Sequence, residues 1–479
     1  MKREDIHRIM HPQSIAVVGV SNDIYIGATM FLKALLGIGY KGRLYAVDKF
    51  VDSALGMKTY PSLLHIPEKV DHVIVGVPAA VTPLIMEDAV KKEVRSIHFF
   101  TSGFAEVASS QGRALQAKLV EIAGGSVRII GPNCMGIYSP EMKIAFSNNQ
   151  SSVSGGAGFV SQSGGMAMLF SEHAQREGNY CSKLISIGNS CDLKLTDFFE
   201  YLSEDQDTTS VSMYVEGLAK GEGKKFVEIV RETSPRKPVL VYKAGQTAAG
   251  ARAASSHTGS MAGEYRLWRN LARQCGVVLV ESIEEMHDFL KLRRMVEAPA
   301  STRCCLVGGG GGASVTTTDE GAKWGIDLPE LQEQTQQKLL EFIVPVGTIR
   351  RNPVDMNMGS WDPRVVENVV LTVGGDPQID TVIYLAQTAF VAIMAEEFGV
   401  EPKAVLDAQV ACLVSAREKS HVPIVCTVPA IFEEPALEEF RSYLRKELES
   451  RGLPTLPTME RTAKAIQRCH EYRRFIERP

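Results

Sequence analysis

"GFVSQSGGMAMLF" spans residues 158–170. An apolar run ends at Val160, small polar residues Ser161, Gln162 and Ser163 follow, then Gly164 and Gly165, then an apolar segment with helical spacing. That order reads as a strand, a tight turn and a helix. The same order recurs along the chain. "SIAVVGV" (14–20), "RLYAVD" (43–48), "DHVIVGV" (71–77), "RSIHFFTS" (95–102) and "SVRIIG" (126–131) are short apolar runs, as parallel strands covered on both faces require. Between them, "GATMFLKALLGIG" and "VTPLIMEDAVKKE" carry helical periodicity. Beyond residue 170 come strands in "SKLISIG", "SVSMYVEG" and "KPVLVYKAG". A third block opens at "TRCCLVGGGGGASVTTTDEGAKWG" and runs through "IDTVIYLA" and "VPIVCTVP" into a charged helical tail. The expectation is an α/β protein of three tandem α/β units. Stretches rich in Pro, Ser or Gly near 140–155 and 297–303 mark the joints, which gives domains at 1–145, 146–298 and 299–479.

A chain of 479 residues is too long for one hydrophobic core. Its 52 basic and 56 acidic residues leave a net charge of -4 with no basic block, so nothing supports a nucleic-acid partner. An anionic ligand must be held locally, by helix N-termini and single cations. Of the nine cysteines Cys304 and Cys305 are adjacent, the rest are scattered and no CxxC occurs, which argues for reduced thiols, a cytoplasmic setting and no zinc ribbon; no metal site is expected. The opening "MKREDIHRIMHPQSIAVVGV" has acidic residues and a strand-length apolar run, unlike a signal peptide. No apolar run approaches the ~20 residues of a membrane helix.

Several residues carry chemistry. The Ser161–Gly165 turn aims backbone N–H groups and a helix dipole at one point, an anion cradle to which serine hydroxyls add donors. The plainer reading is a turn with a serine N-cap. Glu216 follows the apolar run of "SMYVEG" and so falls at the strand ends where open α/β sheets bind ligands. A carboxylate there can fix a histidine tautomer; taken alone, it reads first as a helix N-cap or a solvated rim residue. "AASSHTGSMAGEYRLW" (253–268) sets His257 among Ser255, Ser256, Thr258, Gly259 and Ser260, after a strand that leads to the same crevice. Such a loop suits phosphate, and neutral imidazole is a nucleophile toward phosphorus. In the first block, "VVGVSNDIYIG" (17–27) makes an open phosphate-facing turn from Gly19, Ser21, Asn22 and Gly27. It lacks GxGxxG, so a nicotinamide dinucleotide reading rests on Asp48 alone. "GPNCMGIYSP" (131–140) places Asn133 and Cys134 after a strand, at the crevice or as a turn and a buried thiol. "VGGGGGASVTTTDEG" (307–321) has no GK[ST] and is a strand-to-helix turn, not a P-loop.

In chain order, "SIAVVGVSND", "GRLYAVD", "VDHVIVGVPA", "TSGFAEV", "GPNCMGI", "FVSQSGG", "SIGNSCDL", "YVEG", "YKAGQTAAGARAASSHTGSMAG" and "RRNPVDM" together resemble the NDP-forming acyl-CoA synthetases. The resemblance is to the α-subunit type of ADP-forming acetate–CoA ligase, in the succinyl-CoA synthetase superfamily, and it covers nearly the whole chain. It implies a Rossmann-like CoA-binding domain followed by two flavodoxin-like domains. It further implies that Gly19, Ser21, Asn22 and Gly27 face the CoA pyrophosphate, that Val77 and Pro78 pack beside the nucleotide, and that Asn133 and Cys134 lie near the thiol end. Ser161, Gln162, Ser163, Gly164 and Gly165 would head the helix that points at the transferred phosphate. His257 would be the phosphorylated histidine and Glu216 the acid that steadies it. Many relatives have Asn-Pro-Lys after the second strand; here the sequence is Asp48-Lys49-Phe50, so either Lys49 takes over a CoA-phosphate contact or that contact is lost. The resemblance implies CoA, phosphate and a small carboxylic acid as substrates. It also implies a separate β subunit with an ATP-grasp fold that binds ADP or ATP and Mg. The alternative is a non-catalytic CoA-binding regulator on the same fold.

Overall fold

The computed structural model describes residues 3–23, 27–250, 252, 265–429 and 434–478. The chain divides into two compact units, Met1–His287 and Asp288–Pro479. The first contains two sheets and the second contains one.

The first sheet runs in the order Ser53–Ala54, Met57–Tyr60, Arg43–Val47, Ser14–Val18, His72–Val75, Ser96–Phe99, Arg128–Ile130. Ser14–Val18 lies inside it, buried at every position, because both of its faces are covered by helices. Counting Met57–Tyr60 as third, the order outward from Ser14–Val18 is that of dinucleotide-binding folds. The five apolar runs read as strands in this block are all strands here. The hairpin Ser53–Ala54 with Met57–Tyr60 is an addition: "MKTY" is short, partly exposed and polar, so it carries no legible period.

The second sheet is ordered Val277–Val280, Val239–Lys243, Ser210–Val215, Ala157–Ser161, Cys181–Ser186, Gly136–Tyr138. All neighbours are parallel except Gly136–Tyr138, which pairs antiparallel with Cys181–Ser186. That edge strand comes from residues the sequence assigns to the first domain, so the second ladder begins earlier in the chain than the Ser-rich joint suggests. The helix Gly164–Arg176 starts where Ser163 Oγ accepts the Met166 N–H. Leu195–Glu204 is amphipathic and buries Leu195, Phe198, Phe199 and Leu202.

The two sheets of this unit meet through loops. Arg128 grips Asp192 with two hydrogen bonds of 2.8 and 2.7 Å. Asn189 Nδ2 donates to Gln116 Oε1 at 2.9 Å and to Glu106 Oε2 at 2.5 Å. A Cβ on Gly188 would sit 2.3 Å from the carbonyl oxygens of Pro132 and Asn133, so the two loops touch backbone to backbone.

The Asp288–Pro479 unit has the order Ile349–Arg350, Val354–Asp355, Cys304–Gly308, Thr381–Leu385, Ile424–Thr427, Thr455–Leu456. The glycine run after Cys304–Gly308 is a strand-to-helix turn, as read. A Cβ on Gly308 would lie 2.6 Å from Leu385 O. The charged tail forms the helix Met459–Ile476.

Candidate functional site

Three adjacent parallel strands of the second sheet end together, with Tyr214 opposite Ser161 and Val215 opposite Lys243. Their carboxyl ends bring Ser161, Glu216 and Lys243 to one edge. Ala157–Ser161 has a neighbour on each side, one reached by the chain next and one after that, so this edge is the sheet's topological switch point.

The Ser161–Gly165 turn folds on its own side chains. The Ser161 hydroxyl is buried; it donates to Ser163 O at 2.7 Å and accepts the Ser163 N–H at 3.1 Å. Ser163 Oγ caps the helix. Both hydroxyls therefore shape the turn, and Ser163 is the N-cap that the plainer sequence reading offers. The exposed element is the helix N-terminus at Gly165, and a Cβ on Gly164 would lie 3.0 Å from Met135 Cγ. That contact, with the Met135 N–H on Ser186 Oγ at 3.1 Å, lays the Asn133–Met135 loop beside the turn.

Gln162 latches the neighbouring strand end. Its Oε1 accepts the N–H groups of Glu216 at 2.6 Å and Gly217 at 3.1 Å, and its Nε2 donates to Gly217 O at 2.9 Å. Glu216 is 5% exposed. Burial and then the Glu216 charge raise the Tyr214 hydroxyl pKa. Lys243 is fully buried and donates from Nζ to Glu216 O at 2.9 Å. Burial lowers its pKa and the Glu216 charge pulls it back up.

In the first sheet the glycine turn is tight. Gly19 and Gly27 have φ of 88° and 63°. A Cβ on Gly27 would lie 2.1 Å from Gly19 O, and one on Gly19 would lie 2.8 Å from Val77 Cγ1. Ser21 Oγ donates to Asp23 O at 2.8 Å, the Ser21 N–H donates to Thr29 Oγ1 at 2.9 Å, and Asn22 is exposed. Val77 is half-buried and Pro78 exposed beside this turn. Lys49 is exposed with its ammonium 4.8 Å above the Phe50 ring. Asn133 has φ of 59° and its N–H meets Thr101 O at 3.1 Å. Cys134 is 3% exposed, its sulfur faces Phe99 O and Ile130 O, and burial pushes its thiol pKa up.

The structure thus gathers Ser161–Gly165 with Glu216, and Gly19, Gly27 and Val77 with one another, while Asn133 and Cys134 border the first group. His257 lies outside the described residues. Sequence reasoning missed Lys243; the available signal was a lysine closing the apolar run "VLVYK". It also missed the latching role of Gln162, since which atoms a polar turn residue meets depends on the neighbouring strand. Among the described residues no group of three or more His, Cys, Asp or Glu side chains could hold a metal ion. Among the same residues no helix is long and apolar enough to cross a membrane.

Comparison with known proteins agrees with this architecture. Residues 13–140 match the CoA binding domain family, and residues 154–293 the succinyl-CoA ligase like flavodoxin domain family. The chain is 33% identical over 379 residues to the α subunit of acetate–CoA ligase (ADP-forming) II of Pyrococcus furiosus, covering 78% of this chain and 80% of that one. It is 34% identical over 381 residues to acetate–CoA ligase (ADP-forming) I of Archaeoglobus fulgidus, covering 79% of this chain but only 54% of that longer protein. Among solved structures, the dinucleotide forming acetyl-coenzyme A synthetase 1 of Ca. Korarchaeum cryptofilum, in complex with phosphate and ADP, superposes with a TM-score of 0.80 at 30% identity. That match covers 98% of this chain and 97% of the other. The chain therefore belongs to the NDP-forming acyl-CoA synthetases, in the α-subunit form of the ADP-forming acetate–CoA ligases.

Proposed function

We propose that the chain is the α subunit of an ADP-forming acyl-CoA synthetase and interconverts acyl-CoA, ADP and phosphate with a carboxylic acid, ATP and CoA by way of a phosphohistidine at His257. The observation that carries this reading is the edge of the second sheet. One side chain, Gln162, holds the main chain of Glu216, a buried acid, near an open helix N-terminus. The loop Asn133–Met135 borders the same place.

In the direction of ATP synthesis, a phosphate oxygen attacks the thioester carbonyl, the C–S bond breaks, and CoA leaves as the thiol. The Gly164 and Gly165 end of the helix holds the phosphate by its N–H groups and its dipole. An imidazole nitrogen of His257 then attacks phosphorus, the P–O bond of the acyl phosphate breaks, and the carboxylate leaves. Glu216 accepts a hydrogen bond from the other imidazole nitrogen, which sets the tautomer and stabilises the cationic phosphohistidine. The phosphoryl group passes to ADP on a separate ATP-grasp β subunit, where Mg supplies charge neutralisation. Gly19, Ser21, Asn22 and Gly27 hold the CoA pyrophosphate, Val77 and Pro78 flank its nucleotide, and Lys49 meets a CoA phosphate. Residues 1–145, 146–298 and 299–479 act as the three working segments. Nine free cysteines, none paired, suit work in the cytoplasm.

The test is reconstitution with an ATP-grasp partner and a screen of short, branched and aryl acids for ATP-dependent thioester formation. Thioester formation that His257→Ala abolishes supports the reading. Full activity of that variant, with CoA still bound, refutes it.

A further inference from the structure

Lys243 closes the strand Val239–Lys243 at the candidate site, yet it is fully buried. The strand positions before it include Val239, Leu240 and Val241, all at 0% exposure. An apolar side chain would fill the same space without the desolvation cost of an ammonium. That cost is offset locally: Nζ donates to Glu216 O at 2.9 Å and to Ala244 O.

The geometry has a second half. Gln162 Oε1 takes the Glu216 N–H at 2.6 Å, and Lys243 Nζ takes the Glu216 carbonyl at 2.9 Å. The main chain of Glu216 is therefore clamped on both sides of its Cα, by side chains from the two strands that flank its own. The titratable groups that feel the Glu216 charge include Tyr214 on its own strand and Lys243 on the next. The Ser161–Gly165 turn on the other side contributes only uncharged side chains.

We propose that Lys243 is a positioning residue for Glu216: its ammonium pins the Glu216 carbonyl and keeps the adjacent carboxylate ionised, ready to accept an imidazole N–H. This rests on the phosphohistidine reading above and names the group that prepares its acid. Lys243 touches no reacting atom. It acts through the charge state and placement of Glu216.

The test follows acid-labile phosphoprotein formed by the full chain from acetyl-CoA and radiolabelled phosphate, across mildly acidic to mildly alkaline pH. Loss of a nearby cation raises a carboxyl pKa, so Lys243→Met should move the acid limb upward by about one pH unit. Below that limb labelling should slow about tenfold, and it should recover at higher pH. Lys243→Arg, which keeps the charge, should leave the limb within a few tenths of a unit of wild type. In a Glu216→Gln background Lys243→Met should move nothing. An unshifted limb in Lys243→Met overturns the proposal. Where that variant does not fold, a limb displaced by about a unit in Lys243→Arg overturns it instead. Wild type that takes up no label at any pH refutes the histidine reading and leaves Lys243 to a direct measurement. In that measurement the Glu216 carboxyl titration is followed by infrared difference spectroscopy against Glu216→Gln. A midpoint unchanged by Lys243→Met contradicts the proposal, and one raised by about a unit upholds it.

Discussion

Gln162 Oε1 accepts the Glu216 N–H at 2.6 Å across two adjacent parallel strands. One uncharged side chain thus sets the position of the carboxylate relative to the helix N-terminus. Gln162→Ala removes three hydrogen bonds from the Glu216–Gly217 segment. The expected result is a fall in kcat of roughly 10–100-fold, the usual cost of losing a partner that orients a site residue. The dissociation constant for CoA, measured by calorimetry, should not change.

Glu216→Gln keeps size and loses charge. Phosphorylation of His257 should slow by about 10–100-fold, read by rapid quench with labelled phosphate. An unchanged rate would remove Glu216 from the histidine-steadying role.

Gly27 has φ of 63°, and a Cβ there would lie 2.1 Å from Gly19 O. Gly27→Ala must therefore shift the backbone of the first turn. The expected loss is about 1–3 kcal/mol of stability, with CoA binding weakened more than tenfold. Denaturant unfolding and calorimetry read the two effects separately.

The interior of the first sheet carries an acid-sensitive pair. His72 and His98 stack with ring centroids 5.7 Å apart. Burial lowers the His72 pKa from 6.5 to about 4, and burial together with the His72 charge lowers that of His98 well below its usual value. The unfolded chain protonates both near pH 6.5, while the folded chain keeps them neutral. The stability they contribute is complete above that pH and falls as pH drops toward about 4. For His72 alone the full loss is roughly 3 kcal/mol. Urea unfolding at neutral and mildly acidic pH should show this slope, and His72→Gln should flatten it by one proton.

The fold was legible because buried parallel strands are short unbroken apolar runs. "SIAVVGV" and "KPVLVYKAG" need no context to be read. Met57–Tyr60 and Gly136–Tyr138 were not legible: both are short, the first is polar and partly exposed, and the second owes its pairing to Cys181–Ser186, far along the chain. At the site, Glu216 was readable as an acid that follows an apolar strand, but taken alone it reads first as a helix cap or solvated rim residue; in the structure it follows Ser210–Val215 and is 5% exposed. The direction of the Ser161 hydroxyl was not readable: whether a turn serine faces a ligand or its own backbone depends on the turn's dihedral angles. Lys243 escaped for the opposite reason. A lysine at a strand end normally reaches water, and only the packed sheet reveals that this one does not.

The most direct measurement of the central claim is label transfer to one imidazole. The full chain is incubated with acetyl-CoA and radiolabelled phosphate, denatured, and divided between mild acid and alkali. The account predicts label that survives alkali, is lost in acid, maps to the peptide containing His257, and is missing from His257→Ala. Equal label in that variant, or label stable to acid, would contradict it.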